Sequence, residues 1–135
     1  MERSEQIKKV KNDLKRMRIL THSIDSATKA EKKHENRILY IRRSRGEEQE
    51  KEKRIENLHK LIDDLKIDEL VNEFCELEAT YMTAINELES IDKAILLDSL
   101  FNGLTYREIG NRIGYSERGI QKRMTDIFEK LTNLQ

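Results

Sequence analysis

Apolar residues recur at spacings of three and four along most of this chain, and no proline interrupts them. Ile7, Val10, Leu14, Met17 and Leu20 form one stripe, with Lys, Arg and Asp on the other side and Ile24 beyond. Ile55, Leu58, Ile62 and Leu65 begin a second stripe. It slips near Ile67 and resumes through Leu70, Phe74, Leu77, Tyr81, Ile85 and Leu88. This period predicts amphipathic helices, and a helix with an apolar stripe must bury it against something. The expected fold class is therefore all-α. A long N-terminal helical hairpin or coiled coil should occupy residues 1–89, and a shorter C-terminal unit residues 90–135.

Within the first region, Thr21, Ser23, Asp25 and Ser26 cluster. Their side chains compete for backbone hydrogen bonds, so the helix is expected to pause there. Ser44-Arg45-Gly46 is the expected connection between two long helices, because Gly46 is the only glycine before position 103. From about residue 48 the helical pattern is sustained. Phe74, Cys75, Tyr81 and Met82 are read as packing residues.

Charge sets the partners of these helices. Residues 1–54 hold 17 basic and 10 acidic side chains, a net of +7; residues 55–100 hold 3 and 12, a net of −9; residues 101–135 hold 6 and 4, a net of +2. Two arrangements fit: the acidic helix folds back on the basic one, or it pairs with a second copy. Opposite charge favours the first, and a dimer could be built on it. Basic residues left unpaired by the acidic block would be free to attract phosphate.

Several functions are disfavoured. Aromatic residues make up only 5% of the chain, too few for a large core. No apolar run approaches the roughly 18 residues that a membrane span needs, so no membrane partner is expected. One cysteine, Cys75, gives no intrachain disulfide or thiolate metal cage, and the cytoplasm is the expected compartment. His22, His34 and His59 stand at no ligand spacing, so no metal or other cofactor is expected. There is no glycine-rich phosphate loop and no nucleophile with a candidate base, and an enzyme is not expected. Asp63-Asp64 reads as a solvated acidic face.

The texture changes after residue 90. Gly103 is expected to end a first short helix. Thr105, with Glu108 three residues later, is a capping box that starts a second. Gly114 supplies a left-handed residue that ends it after two turns. Ser116 is the next N-cap, and a third helix should run to about Leu131. Ile109 and Ile113 line the inner face of the second helix; Ile120, Met124, Ile127 and Leu131 line that of the third. Gly110 stands where these helices would approach most closely, and Leu96, Leu100, Phe101 and Leu104 form a lid. Two helices joined by a short turn containing glycine make a helix-turn-helix.

Leu-Thr-Tyr-Arg-Glu-Ile-Gly-Asn-Arg-Ile-Gly-Tyr-Ser-Glu-Arg-Gly-Ile, residues 104–120, resembles the helix-turn-helix of region 4 in bacterial sigma factors, the part that reads the upstream promoter element. The sigma-like match covers residues 91–131. The whole layout, residues 5–131, is similar to small phage-encoded regulators of the ArpU/RinA-like class, which activate late transcription. The resemblance implies a phage or prophage regulator rather than a complete sigma factor, since the sigma core regions are not seen. Gly119 departs from the larger residue usual there, which costs about 1 kcal/mol of helix propensity and leaves a gap in the outer surface.

In a helix-turn-helix the third helix enters the major groove. Glu117, Arg118, Gln121 and Lys122 lie opposite Ile120 and Met124 and are the expected base readers. Arg118 and Lys122 suit guanine, Gln121 adenine and Glu117 cytosine. Thr105, Tyr106, Arg107, Arg112 and Arg123 are placed for phosphates. Residues 105–123 carry five basic and two acidic side chains, a local net of +3. The expected partner is double-stranded DNA, read by a homo-oligomer, with a dimer favoured because one such unit makes few base contacts. RNA polymerase is a second candidate partner. Two rival readings are a protein-interaction adaptor or anti-activator, and a small terminase-like packaging protein.

Overall fold

A computed structural model of the chain describes residues 2–133. The fold is all-α. Its helices are α1 (Arg3–Arg43), α2 (Glu48–Asp64), α3 (Ile67–Asn86), α4 (Ser90–Leu100), α5 (Tyr106–Ile113) and α6 (Glu117–Asn133). Residue 1 and residues 134–135, the outer ends of the two expected regions, lie outside the described residues. None of the described helices is long and apolar enough to cross a membrane.

The expected pause at Thr21–Ser26 does not occur, because α1 continues through it. Thr21 Oγ1 donates to the Met17 carbonyl at 2.9 Å, a bond the helix accommodates without breaking. Asp25 pairs with Lys29 one turn on, at 2.9 Å. The break after residue 48 is also different from the expectation. The sustained helix divides where its apolar period slips: Lys66 takes a left-handed φ of 53°, and α3 restarts at Ile67. The connection at Ser44–Gly46 is found, with Ser44 Oγ donating to the Ile41 carbonyl and Lys51 Nζ to the Ser44 carbonyl.

The chain forms two compact units. One takes α1 up to Thr21 together with α3 from Glu73, α4, α5 and α6; the other runs from His22 to Asn72. The second unit holds a small core, Ile38 and Ile41 of α1 with Ile55 and Leu58 of α2, flanked by Ile62.

The first unit holds the larger core. Val10, Leu14 and Met17 of α1 meet Tyr81, Ala84 and Ile85 of α3 and Ile95, Leu96 and Leu100 of α4. Ile109 of α5 and Ile120, Met124, Ile127 and Leu131 of α6 complete it. The three short helices thus share one core with α1 and α3, and the expected boundary at 89/90 falls inside this unit. Phe74 packs at its edge against Phe101, edge to face at 6.5 Å. Tyr81 is fully buried and its hydroxyl donates to Asp13. Met82 and Cys75 are exposed, contrary to the packing reading, because both fall on the outer side of α3.

The opposite charges of α1 and α3 meet at one bidentate pair. Arg16 donates Nε and Nη2 to the two Glu73 carboxylate oxygens at 2.7 and 2.8 Å. That hydrogen-bonded pairing holds the Glu73 carboxyl below its usual range. Its stabilisation is therefore present at neutral pH and lost as pH falls through the lowered value. Both side chains are over 40% exposed, so salt screens the pair.

The helix-turn-helix forms as its punctuation dictates, with one shift. α4 ends at Leu100, and Gly103, φ 63°, sits in the turn beyond it rather than at the helix end. Thr105 caps α5 through a complete capping box, and Gly114 is left-handed with φ 83°. Ser116 Oγ accepts from the Gly119 N–H at 3.0 Å and caps α6. The close approach at Gly110 is to the turn itself: a Cβ there would stand 2.4 Å from the Tyr115 carbonyl oxygen.

Two substitutions check this packing. Gly110→Ala would gain about 1 kcal/mol of helix propensity at an open position. Here backbone blocks the methyl, so urea unfolding should show a net loss of roughly 1–3 kcal/mol. Ile120→Asp would place an unpaired carboxylate where Ile120 is fully buried. Its melting transition should fall sharply, with α6 helicity lost by circular dichroism.

Candidate nucleic-acid interface

α6 is divided lengthwise. Ile120, Ile127 and Leu131 are fully buried and Met124 nearly so. The opposite side carries Glu117, Arg118, Gln121 and Lys122, all exposed. Arg118 and Lys122 stand one turn apart on the same face. Among the described residues, none of these four side chains is held in an ion pair or hydrogen bond. Two cations, a carboxylate and an amide are thus presented together at the N-terminal half of one helix.

The five residues expected at phosphates divide differently. Arg107 is exposed and makes no ion pair among the described residues. Thr105 is exposed, but its hydroxyl accepts from the Glu108 N–H while its own N–H donates to Glu108 Oε1, both at 3.2 Å. Two donors at the start of α5 are therefore satisfied internally, and Glu108 adds a negative charge beside them. Tyr106 is half-buried against the core, and burial raises its hydroxyl pKa. It acts first as a wedge under α5.

Arg112 and Arg123 are held by α4. Arg112 Nη1 donates to Asp98 Oδ1 at 3.2 Å, with its side chain still 62% exposed. Asn102 Nδ2 donates to the same oxygen at 2.8 Å. Arg123 Nη1 donates to Asp92 Oδ1 at 2.9 Å, and its guanidinium lies 5.2 Å from the Tyr115 ring centroid. The Asp92 bond raises the Arg123 pKa further. Lys130 approaches the other Asp92 oxygen at 3.5 Å.

Asp92 and Asp98 are therefore anchors that sequence reasoning missed. Both are buried, and each ties one helix of the helix-turn-helix to α4. The available signal was Arg123 itself, three residues after the buried Ile120. That position flanks the inner face and needs an acidic partner nearby. The gap expected at Gly119 is not open space, because the Ser116 hydroxyl already occupies the position beside it. Gly119, Tyr115 and Lys122 line a groove of about 580 Å³ with Asp92, Asp126 and Lys130, and a Cβ at Gly119 would lie 3.1 Å from Ser116 Oγ.

Removing an anchor should loosen the unit. Asp92→Ala is expected to cost about 2 kcal/mol in urea unfolding, the usual scale for hydrogen bonds to charged groups. In comparisons with protein-family models, with curated protein sequences and with solved structures, the chain has no match.

Proposed function

We propose that this protein is a sequence-specific DNA-binding transcription regulator, of the phage type its sequence resembles, in which α6 reads the major groove. One observation carries the reading. The apolar side of α6 is consumed by the core, while Glu117, Arg118, Gln121 and Lys122 are exposed and uncommitted. A helix so placed offers bidentate guanine recognition through Arg118, a cation at Lys122, and an amide at Gln121 for adenine. Arg107 at the start of α5, in no ion pair among the described residues, is a cation for the flanking backbone. A single unit of this size buries little DNA, so an oligomer reading two half-sites supplies the affinity.

In this reading Arg118→Ala and Lys122→Ala each weaken a specific operator by roughly 1–3 kcal/mol while leaving the melting temperature unchanged. Operators selected from a random duplex pool, followed by gel shift of both variants, provide the measurement. Unchanged binding would remove these residues from the reading surface. Failure of any duplex to bind in a salt-dependent manner would favour a protein-binding role instead.

A further inference from the structure

The basic block of α1 is not neutralised as a whole. Arg16 is taken by Glu73, but Lys11, Lys15 and Arg18 form no ion pair among the described residues. Their spacing of four and three puts them on one face of α1. That face opens on a shallow cleft of about 180 Å³ where Lys11, Lys15 and Arg18 meet Ser99 and Leu100 of α4 and Phe128 of α6. Among the described residues no acidic side chain lines it. The Lys11 ammonium lies 5.3 Å from the Phe128 ring centroid. At the other end, Arg18 Nη2 would stand 3.2 Å from a Cβ placed on Gly103. Arg18 therefore sits against the turn that leads, two residues later, into Thr105 and α5.

We infer that Lys11, Lys15 and Arg18 form a phosphate-contacting track that extends the DNA footprint of the helix-turn-helix beyond α5 and α6. This rests on the DNA-binding reading above. The seven residue steps from Lys11 to Arg18 rise about 10 Å along the helix axis. That is the axial rise of roughly three phosphates on one strand of a duplex. The track ends at the α4–α5 turn, where Arg18 meets Gly103, two residues before α5 is capped by Thr105. Because it meets only phosphates, it adds affinity without sequence preference. An acidic peptide seated in the same cleft is the competing occupant. The cleft's small apolar floor holds little more than one side chain, whereas the line of three cations matches an extended polyanion.

The test is the salt dependence of duplex binding by the full chain, followed by fluorescence anisotropy on two duplexes of unrelated sequence. Replacing Lys11, Lys15 and Arg18 with Gln should lower the slope of log affinity against log salt by about 0.9 per residue, nearly three in all. The loss should be equal on both duplexes. Lys11→Arg, Lys15→Arg and Arg18→Lys together should retain the wild-type slope. Lys15→Gln alone, at an exposed position, should lower it by about 0.9 and guards against misfolding of the triple variant. A wild-type slope retained by the Gln variants overturns the track and leaves the cleft to an acidic peptide, while the base-reading face stands. Absence of salt-dependent binding by the wild-type protein overturns both.

Discussion

The missing side chain at Gly110 sets the geometry on which the C-terminal unit depends. The Gly110 carbonyl accepts the N–H groups of Gly114 and Tyr115 at 2.8 and 2.9 Å, closing the end of α5. The chain then turns back so tightly that the Tyr115 carbonyl occupies the space a Cβ would need. With that turn fixed, α6 leaves at one angle and with one rotation. Its four apolar side chains enter the core, and its polar side has nowhere to go but solvent. Exposure of Arg118 and Lys122 is thus a consequence of packing, not of a flexible surface.

Two buried aspartates on α4 reinforce that rotation. A carboxylate withdrawn from water is costly unless paired, and Asp92 is only 4% exposed. Arg123 and Lys130 of α6 and Arg112 of α5 supply the pairs. The same logic sorts the cations of α1: Glu73 takes Arg16, whereas among the described residues the side facing α4 and α6 offers Lys11, Lys15 and Arg18 no carboxylate.

Much of the C-terminal unit was legible in the sequence because its signals are local. The Thr105–Glu108 box, the left-handed Gly114 and the Ser116 cap each act within four residues. The inner face of α6 follows from period alone. What escaped depends on distant chain. Nothing near Thr21–Ser26 reveals that α1 continues, because four polar residues are tolerated once the flanking turns pack. The left-handed Lys66 has no glycine to announce it, although the slip in apolar spacing marked the place. Asp92 and Asp98 look like ordinary solvated acids until Arg123 and Arg112 are brought to them. The core is likewise a product of distant pairing, since Val10, Leu14 and Met17 of α1 meet partners from Tyr81 onward, more than sixty residues away.

The division of labour among the arginines follows from relative cost. Drawing Arg123 away to a phosphate would take its 2.9 Å hydrogen bond from the buried Asp92 carboxylate and leave only Lys130, at 3.5 Å, to pair it. A surface contact with a phosphate, largely screened by salt, returns far less. In the proposed reading Arg123 therefore keeps Asp92 and offers a duplex only its outward N–H groups. Arg112 is 62% exposed and less bound by this constraint. Arg107, Arg118 and Lys122 carry no such obligation, so they can rearrange around a duplex without a penalty inside the protein. In the proposed reading, sequence discrimination falls to the uncommitted side chains at the start of α6. The committed ones, Arg112 on α5 and Arg123 on α6, tie that pair of helices to α4.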